Sequence, residues 1–112
     1  MFTKSKNYGI MSMKFRVQKL PQAQKEFSVL EKSRQDAVQS DYDLIENAGL
    51  EFVKRRFLRD GLFEIKTNDV RSLFKYAENK IILVALIYQK KTKKAPEQLI
   101  KLALRRLKEA EL

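Results

Sequence analysis

The longest apolar run in the chain spans residues 81–88, is rich in β-branched side chains, and is bounded by Asn79-Lys80 before it and a lysine block after it. Its length suits a strand covered on both faces; a helix normally needs about ten residues or more. Upstream, residues 14–20 (KFRVQKL) alternate, with Phe15 and Val17 on one face and Lys14, Arg16 and Gln18 on the other, which predicts a half-buried strand. Pro21 then opens a helix through about Lys32, with Ala23, Phe27 and Leu30 on one stripe. Ser33 is the expected N-cap of a second helix, supported by Asp36 three residues later. Its buried stripe reads as Ala37, Leu44 and Ala48, flanked by Val38, Tyr42 and Ile45, and Gly49 ends it. A tight joint at Lys32-Ser33 makes the two helices an antiparallel hairpin.

Residues 51–60 (EFVKRRFLRD) read as a basic connector anchored by Phe52, Val53, Phe57 and Leu58, with a turn at Asp60-Gly61. Alternation over 62–66, a turn at 67–69, a strand over 70–76 and a turn at Glu78-Asn79 lead into the central strand, so 62–88 form a three-stranded meander. From Pro96 to about Ala110 the apolar positions Leu99, Ile100, Ala103, Leu107 and Ala110 follow helical spacing. Arg105, Arg106 and Lys108 suit the helix dipole near its C-terminus. Residues 1–13 have no period and read as a loose leader, with Met11 or Met13 as alternative starts; residues 14–112 form the single domain. The expected class is therefore α+β: strand, helical hairpin, antiparallel meander, C-terminal helix. The hairpin covers one sheet face, and the other, carrying Glu64, Lys66, Arg71 and Lys75, is expected to stay open to a ligand.

Composition narrows the chemistry. The 112 residues suffice for one core, and 44% hydrophobic with 34% charged residues is globular rather than disordered composition. No run reaches the roughly 18 apolar residues of a membrane span, and the first residues hold no apolar stretch for a signal peptide, so a cytoplasmic location is expected. There is no cysteine for disulfides or thiolate metal sites and no histidine, the commonest general base and zinc ligand. No cofactor or metal is expected. Lys and Arg number 24 against 14 Asp and Glu, a formal charge of +10. Solubility needs far less, so a polyanionic partner is implied, with nucleic acid ahead of acidic proteins and membrane surfaces. The central strand ends in Lys90, Lys91, Lys93 and Lys94, a core element that delivers cations to the surface.

The second half of the chain resembles the RelE/HigB superfamily of toxins from type II toxin–antitoxin modules, in its HigB-like, phage-derived branch. The resemblance rests on Gly61-Leu62-Phe63-Glu64-Ile65-Lys66, on Arg71 entering the aromatic segment Leu73-Phe74-Lys75-Tyr76, and on Lys90-Lys91-Thr92-Lys93-Lys94-Ala95-Pro96 after the aliphatic strand. It covers residues 57–110. Lys66 stands where the family usually has arginine, and Ala95 replaces a helix-capping threonine. The resemblance implies a ribosome-dependent mRNA endoribonuclease that inhibits translation and is neutralised by a cognate antitoxin. Toxins of the same fold that poison DNA gyrase are the alternative, and composition alone also fits a basic RNA-binding protein.

RNA cleavage needs neither histidine nor metal, because the 2′-OH can attack its own 3′-phosphate if cations stabilise the phosphorane. Arg71, Lys66 and Lys91 are the candidate catalytic cations, with Glu64 as a candidate base. Lys90, Lys93, Lys94, Lys54, Arg55 and Arg56 are candidates for holding RNA, and Tyr88 for stacking on a base. Each has a plainer role open to it. Arg71 could form a cross-strand ion pair with Glu64, the lysines could be a solvated loop, and Tyr88 could be core.

Overall fold

The computed structural model describes residues 14–93 and 96–111; the leader expected over 1–13 lies outside the described residues, as do Lys94 and Ala95. The chain runs β1 (Arg16–Lys19), α1 (Pro21–Ser28), α2 (Lys32–Ala48), a 3₁₀ turn (Leu50–Phe52), β2 (Lys54–Arg59), β3 (Leu62–Thr67), β4 (Val70–Ala77), β5 (Ile81–Gln89) and α3 (Glu97–Ala110). One five-stranded sheet has the order β1-β5-β4-β3-β2. β2 to β5 form an antiparallel meander, and β1 joins β5 in parallel, with Val17 opposite Ile82.

The α+β class stands as expected, and so does the order of the expected elements, but several features differ. Residues 54–59, read as a connector, are an edge strand. Its Lys54, Arg55 and Arg56 are all exposed, so cations occupy both faces and erase the alternation by which strands are recognised. The meander therefore has four strands. Helix α1 stops at Ser28 rather than Lys32, because the Gln35 side-chain amide caps its end by donating to the carbonyls of Ser28 and Leu30. Ser33 is consequently inside α2, which starts after Glu31 without a side-chain cap. The buried stripe of α2 is Val38, Tyr42 and Ile45, while Leu44 is exposed. The larger flanking side chains fill the space between helix and sheet, and the Tyr42 hydroxyl meets the Ser72 hydroxyl at 2.7 Å in the core.

Turns follow local chemistry. Asp60 and Gly61 both have positive φ (52° and 78°), the mirror-image two-residue turn whose twist matches the strands it joins. Gly49 ends α2 at φ 115°, and a Cβ there would collide with the Glu51 carboxylate.

Both sheet faces are covered. One cluster, including Ala23, Val38, Tyr42, Ile65, Phe74 and Ile82, packs α1 and α2 on the first face. A second, including Leu62, Leu73, Leu86, Ile100, Ala103 and Leu107, packs α3 on the other, so the face expected to be open is largely closed. A one-residue bulge at Ala85, between the pairs Leu73–Leu86 and Phe74–Val84, places Ala85 and Leu86 in the α3 cluster together. Beyond the end of β1, the β5 backbone takes side-chain partners. Glu26 Oε1 accepts from the Ile87 N–H at 3.0 Å, and Arg106 donates to the Ala85 carbonyl at 2.9 Å while pairing with Glu26 at 2.9 Å. Arg106, expected only to complement the helix dipole, thus bridges α3, α1 and the strand edge.

The Tyr42–Ser72 pair yields a prediction. Tyr42→Phe leaves a buried serine hydroxyl unsatisfied and should cost about 1–2 kcal/mol in denaturant unfolding. Adding Ser72→Ala removes the orphan and should recover most of that loss; a double mutant as unstable as the sum of both singles would contradict the assignment.

Candidate functional site

Sheet register assembles a site from residues far apart in sequence. Lys54 on β2 pairs with Lys66 on β3, Lys66 with Arg71 on β4, and Arg71 with Tyr88 on β5. Directly paired residues of antiparallel strands project to the same face, so the four form one row across four strands on the α3 side. The next row on that face is Arg56, Glu64, Leu73 and Leu86, whose leucines lie in the α3 cluster. The cationic row therefore borders the helix-covered core. Around its outer end lies an open depression of about 670 Å³ lined by Asp41, Phe52, Lys54, Lys66, Asn68 and Arg71, among others. A similar depression of about 650 Å³, near Lys75, Ile81 and Leu107, is at the opposite end of β4 and has no comparable cation cluster.

Glu64 is fully buried, contrary to its expected place on an open surface. Its carboxylate lies 3.4 Å from Arg56 Nη2 and 3.3 Å from Arg71 Nε. A buried carboxylate requires such cations, because the desolvation cost of an unpaired one is several kcal/mol. The ion pair that the sequence left open for Arg71 is therefore present, on the diagonal rather than directly across the strands. Arg71 Nη1 also donates to the carbonyls of Asn68 (2.7 Å) and Val70 (3.1 Å), so the guanidinium is held from two sides with 13% of the side chain exposed. The Tyr88 hydroxyl is buried and has no hydrogen-bond partner among the described residues. Burial first and the Glu64 charge second push its pKa above the ordinary phenol value, against the pull of Arg71 and Arg56, so the phenol keeps its proton at neutral pH.

The lysine segment after β5 is tied down by Asp69 in the β3–β4 turn. The Lys90 N–H donates to the Asp69 carbonyl at 2.6 Å, and Gln89 Nε2 donates to its carboxylate at 2.8 Å. Arg34 on α2 grips the same carboxylate through Nε (2.9 Å) and Nη2 (2.7 Å), a bidentate fork. Sequence reasoning missed this clamp. Arg34 and Asp69 are 35 positions apart, and neither sits in a motif.

Of the expected residues, the fold brings together Lys54, Arg56, Glu64, Lys66, Arg71 and Tyr88. Lys90 is half-buried at the root of the loop, Lys91 and Lys93 are exposed on it, and Lys94 lies outside the described residues. Arg55 faces away from the row and donates to the Leu50 carbonyl at 2.9 Å. Lys75, placed by the sequence on the same open face, instead pairs with Glu111 beyond α3 at 3.5 Å.

Residues 25–108 match the family described as phage-derived protein Gp49-like. No curated protein sequence matches significantly. Among solved structures, the chain is similar to one in the RelBE2 toxin–antitoxin complex of Mycobacterium tuberculosis, at TM-score 0.57 and 15% identity over 68% of this chain and 98% of that one. A chain of the archaeal RelE–RelB complex of Pyrococcus horikoshii OT3 aligns at TM-score 0.57 and 19% identity, over 74% and 100%. The isolated E. coli RelE toxin aligns at 0.54 and 14%, over 83% and 98%. These likenesses show the fold, and they agree with the resemblance read from the motifs.

The Asp69 clamp carries a pH prediction. Hydrogen bonds from Arg34, outweighing burial, lower the Asp69 pKa from 3.8 to about 2. A depressed carboxylate pKa stabilises the fold fully above its unfolded value, and that contribution is lost as the pH falls from there through about 2. Carboxylate NMR titration should give this low midpoint in the wild type, and Arg34→Ala should return it towards 3.8. An unchanged midpoint would contradict the clamp.

Proposed function

The chain belongs to the family of phage-derived Gp49-like proteins and has the fold of RelE toxins, and on that footing we propose that it is the toxin of a toxin–antitoxin module, an endoribonuclease that cuts mRNA on the ribosome. The observation carrying this reading is the cross-strand row Lys54–Lys66–Arg71–Tyr88 beside a lysine-bearing loop. The row's charge suits the dianionic phosphorane of RNA transesterification.

In this mechanism the 2′-oxygen of the RNA attacks the adjacent phosphorus, and the P–O5′ bond breaks to give a cyclic phosphate and a 5′-hydroxyl. Arg71, held by Glu64 and two carbonyls, donates to the phosphoryl oxygens as charge develops. Lys66, its neighbour in the row, adds a second positive charge against the phosphoryl oxygens, while water takes the 2′-OH proton and protonates the departing 5′-oxygen. Tyr88, whose hydroxyl is buried against the α3 cluster, offers the exposed part of its ring for stacking on the base. Glu64 is too buried to reach a ribose, which makes it the residue that positions Arg71 and Arg56 rather than the base. Lys90, Lys91 and Lys93 bind flanking phosphates. Every group in the scheme is a side chain, water or the RNA itself, so the step is complete without a metal. With no strong acid–base pair in the row, the ribosome supplies the positioning of the strand. The partners are thus ribosome, mRNA and an antitoxin protein that restrains the activity in the cytoplasm.

Induction of the chain alone, followed by mapping of mRNA 5′ ends, tests this directly. Cleavage should be ribosome-dependent, persist in EDTA on ribosomes kept intact by polyamines, and leave 5′-hydroxyl ends. Arg71→Ala should lower cleavage by about a hundred- to a thousand-fold, with Arg71→Lys recovering little because an ammonium cannot keep the contacts to Glu64 and the Asn68 and Val70 carbonyls that hold the guanidinium in place. Wild-type cleavage by Arg71→Ala, or loss in EDTA, would overturn the scheme. Relaxed DNA supercoiling without mRNA cuts would instead indicate a gyrase-directed toxin.

A further inference from the structure

Two parts of the candidate site hang on one short turn. Between β3 and β4 the chain reverses over Asn68 and Asp69, with Asn68 in the left-handed region at φ 55°. The Asn68 carbonyl accepts from Arg71 Nη1 at 2.7 Å, and the Asp69 carbonyl accepts from the Lys90 N–H at 2.6 Å. One residue of the turn thus holds the guanidinium of the row, and the next holds the root of the lysine loop. The β4–β5 ladder ends at the pair Val70–Gln89, so Lys90 is the first residue after β5 whose place depends on the turn instead of the sheet. Helix α2 grips this turn at two points. Arg34 forks onto the Asp69 carboxylate, and the Thr67 hydroxyl donates to Asp41 at 2.6 Å. Arg34 and Asp41 are about two helical turns apart and project from one face of α2.

We propose that Arg34 is a positioning residue, which through Asp69 sets where the Arg71 guanidinium and the lysine loop stand relative to each other. All three of its guanidinium nitrogens are engaged, Nε and Nη2 by Asp69 and Nη1 by Glu31, so it acts through the turn and not by touching a phosphate. Stability alone does not account for the arrangement. The Arg34 side chain is 27% exposed and that of Asp69 39%, and ion pairs this open to water contribute modestly to folding. A two-residue reversal between paired strands also closes without help from a helix. What the grip adds is a fixed direction for the two turn carbonyls. Arg71 belongs to β4 and the lysines to the segment after β5, so an anion reached by both needs them held at one separation. A displacement of about 1 Å in such a site costs up to about a hundredfold in rate. The effect on cleavage rests on the ribonuclease reading; the placement of the two arms rests on the hydrogen bonds of the turn.

The test removes a charge of each sign from the full chain. Arg34→Ala and Asp69→Ala should each lower single-turnover mRNA cleavage on ribosomes by about tenfold or more, while the concentration giving half-maximal rate changes less than about threefold. Charge alone predicts the opposite for Asp69→Ala, which makes the chain more cationic and would tighten its hold on RNA. The double variant should be no slower than the slower single, because both changes break one link. Lys32→Ala, which takes a cation from the same helix where its partner is Asp36, should cleave like the wild type. Hydrogen exchange reads the coupling without any cleavage: the Lys90 amide should exchange about tenfold faster in Arg34→Ala, while the ladder amides of β3 and β4 keep their protection. If the wild type does not cut RNA, the ribonuclease reading fails and the Lys90 amide still decides this one. Should Asp69→Ala fail to fold, Asp69→Asn removes the same charge and takes its place. Faster cleavage by the Asp69 variant, additive losses in the double variant, or an unchanged Lys90 amide would each overturn the proposal.

Discussion

A carboxylate with no access to water sits at the centre of this molecule's polar chemistry. Glu64 is fully buried on the α3 face of the sheet, and such a charge persists only when cations surround it. Arg56 comes to it from the edge strand and Arg71 from the interior of the meander, so one side chain couples three strands. Because Glu64 lies one row from Lys66 and Arg71, the site's main guanidinium is oriented before any ligand arrives. The sheet is thereby divided. On one side of Glu64 are the leucines beneath α3, and on the other the cationic row and its depression.

The treatment of backbone edges follows a similar logic. β1 is short, and the part of β5 that outruns it would expose unpaired groups within the fold. Glu26 and Arg106 satisfy them and bind α1 to α3 in the same stroke. On the far side of β1, Glu46 accepts from the Val17 N–H at 2.9 Å. One end of the sheet is therefore sealed by helix side chains, whereas β2 at the other end is left cationic and partly aromatic. That asymmetry leaves the exposed charge on the edge nearest the candidate site.

Family and fold stand on different footings from activity. The family match spans most of the chain, while the RelE structures share its architecture at identities too low to carry residue roles. One fold can serve several targets, so the chemistry has to be argued from the row itself. The proposed phosphate chemistry rests on a row whose cations are in register and whose arginine is held by Glu64.

From the sequence alone came whatever depends on local pattern and near neighbours. The apolar run after Lys80, the alternation in β1 and β3, the helical spacing of α3, and the turns at Gly49 and Gly61 all lie within a few residues of their cause. Motif order put Lys66, Arg71 and the lysine loop forward as candidates. Tertiary structure decided everything that depends on which face a residue meets. β2 was hidden because an edge strand need not alternate when neither of its faces is fully buried. The α2 stripe was misplaced by one position because helix rotation is set by the volume and hydrogen bond of Tyr42 against the sheet, not by small residues at the right spacing. Glu64 looked exposed because its neighbours in sequence alternate, yet α3, beginning more than thirty positions later, packs over that face. Arg34 and Asp69 met only through the packing of α2 on the sheet. Local pattern sets which segments become strands and helices; register and helix placement, which are long-range properties, set which charges share a site.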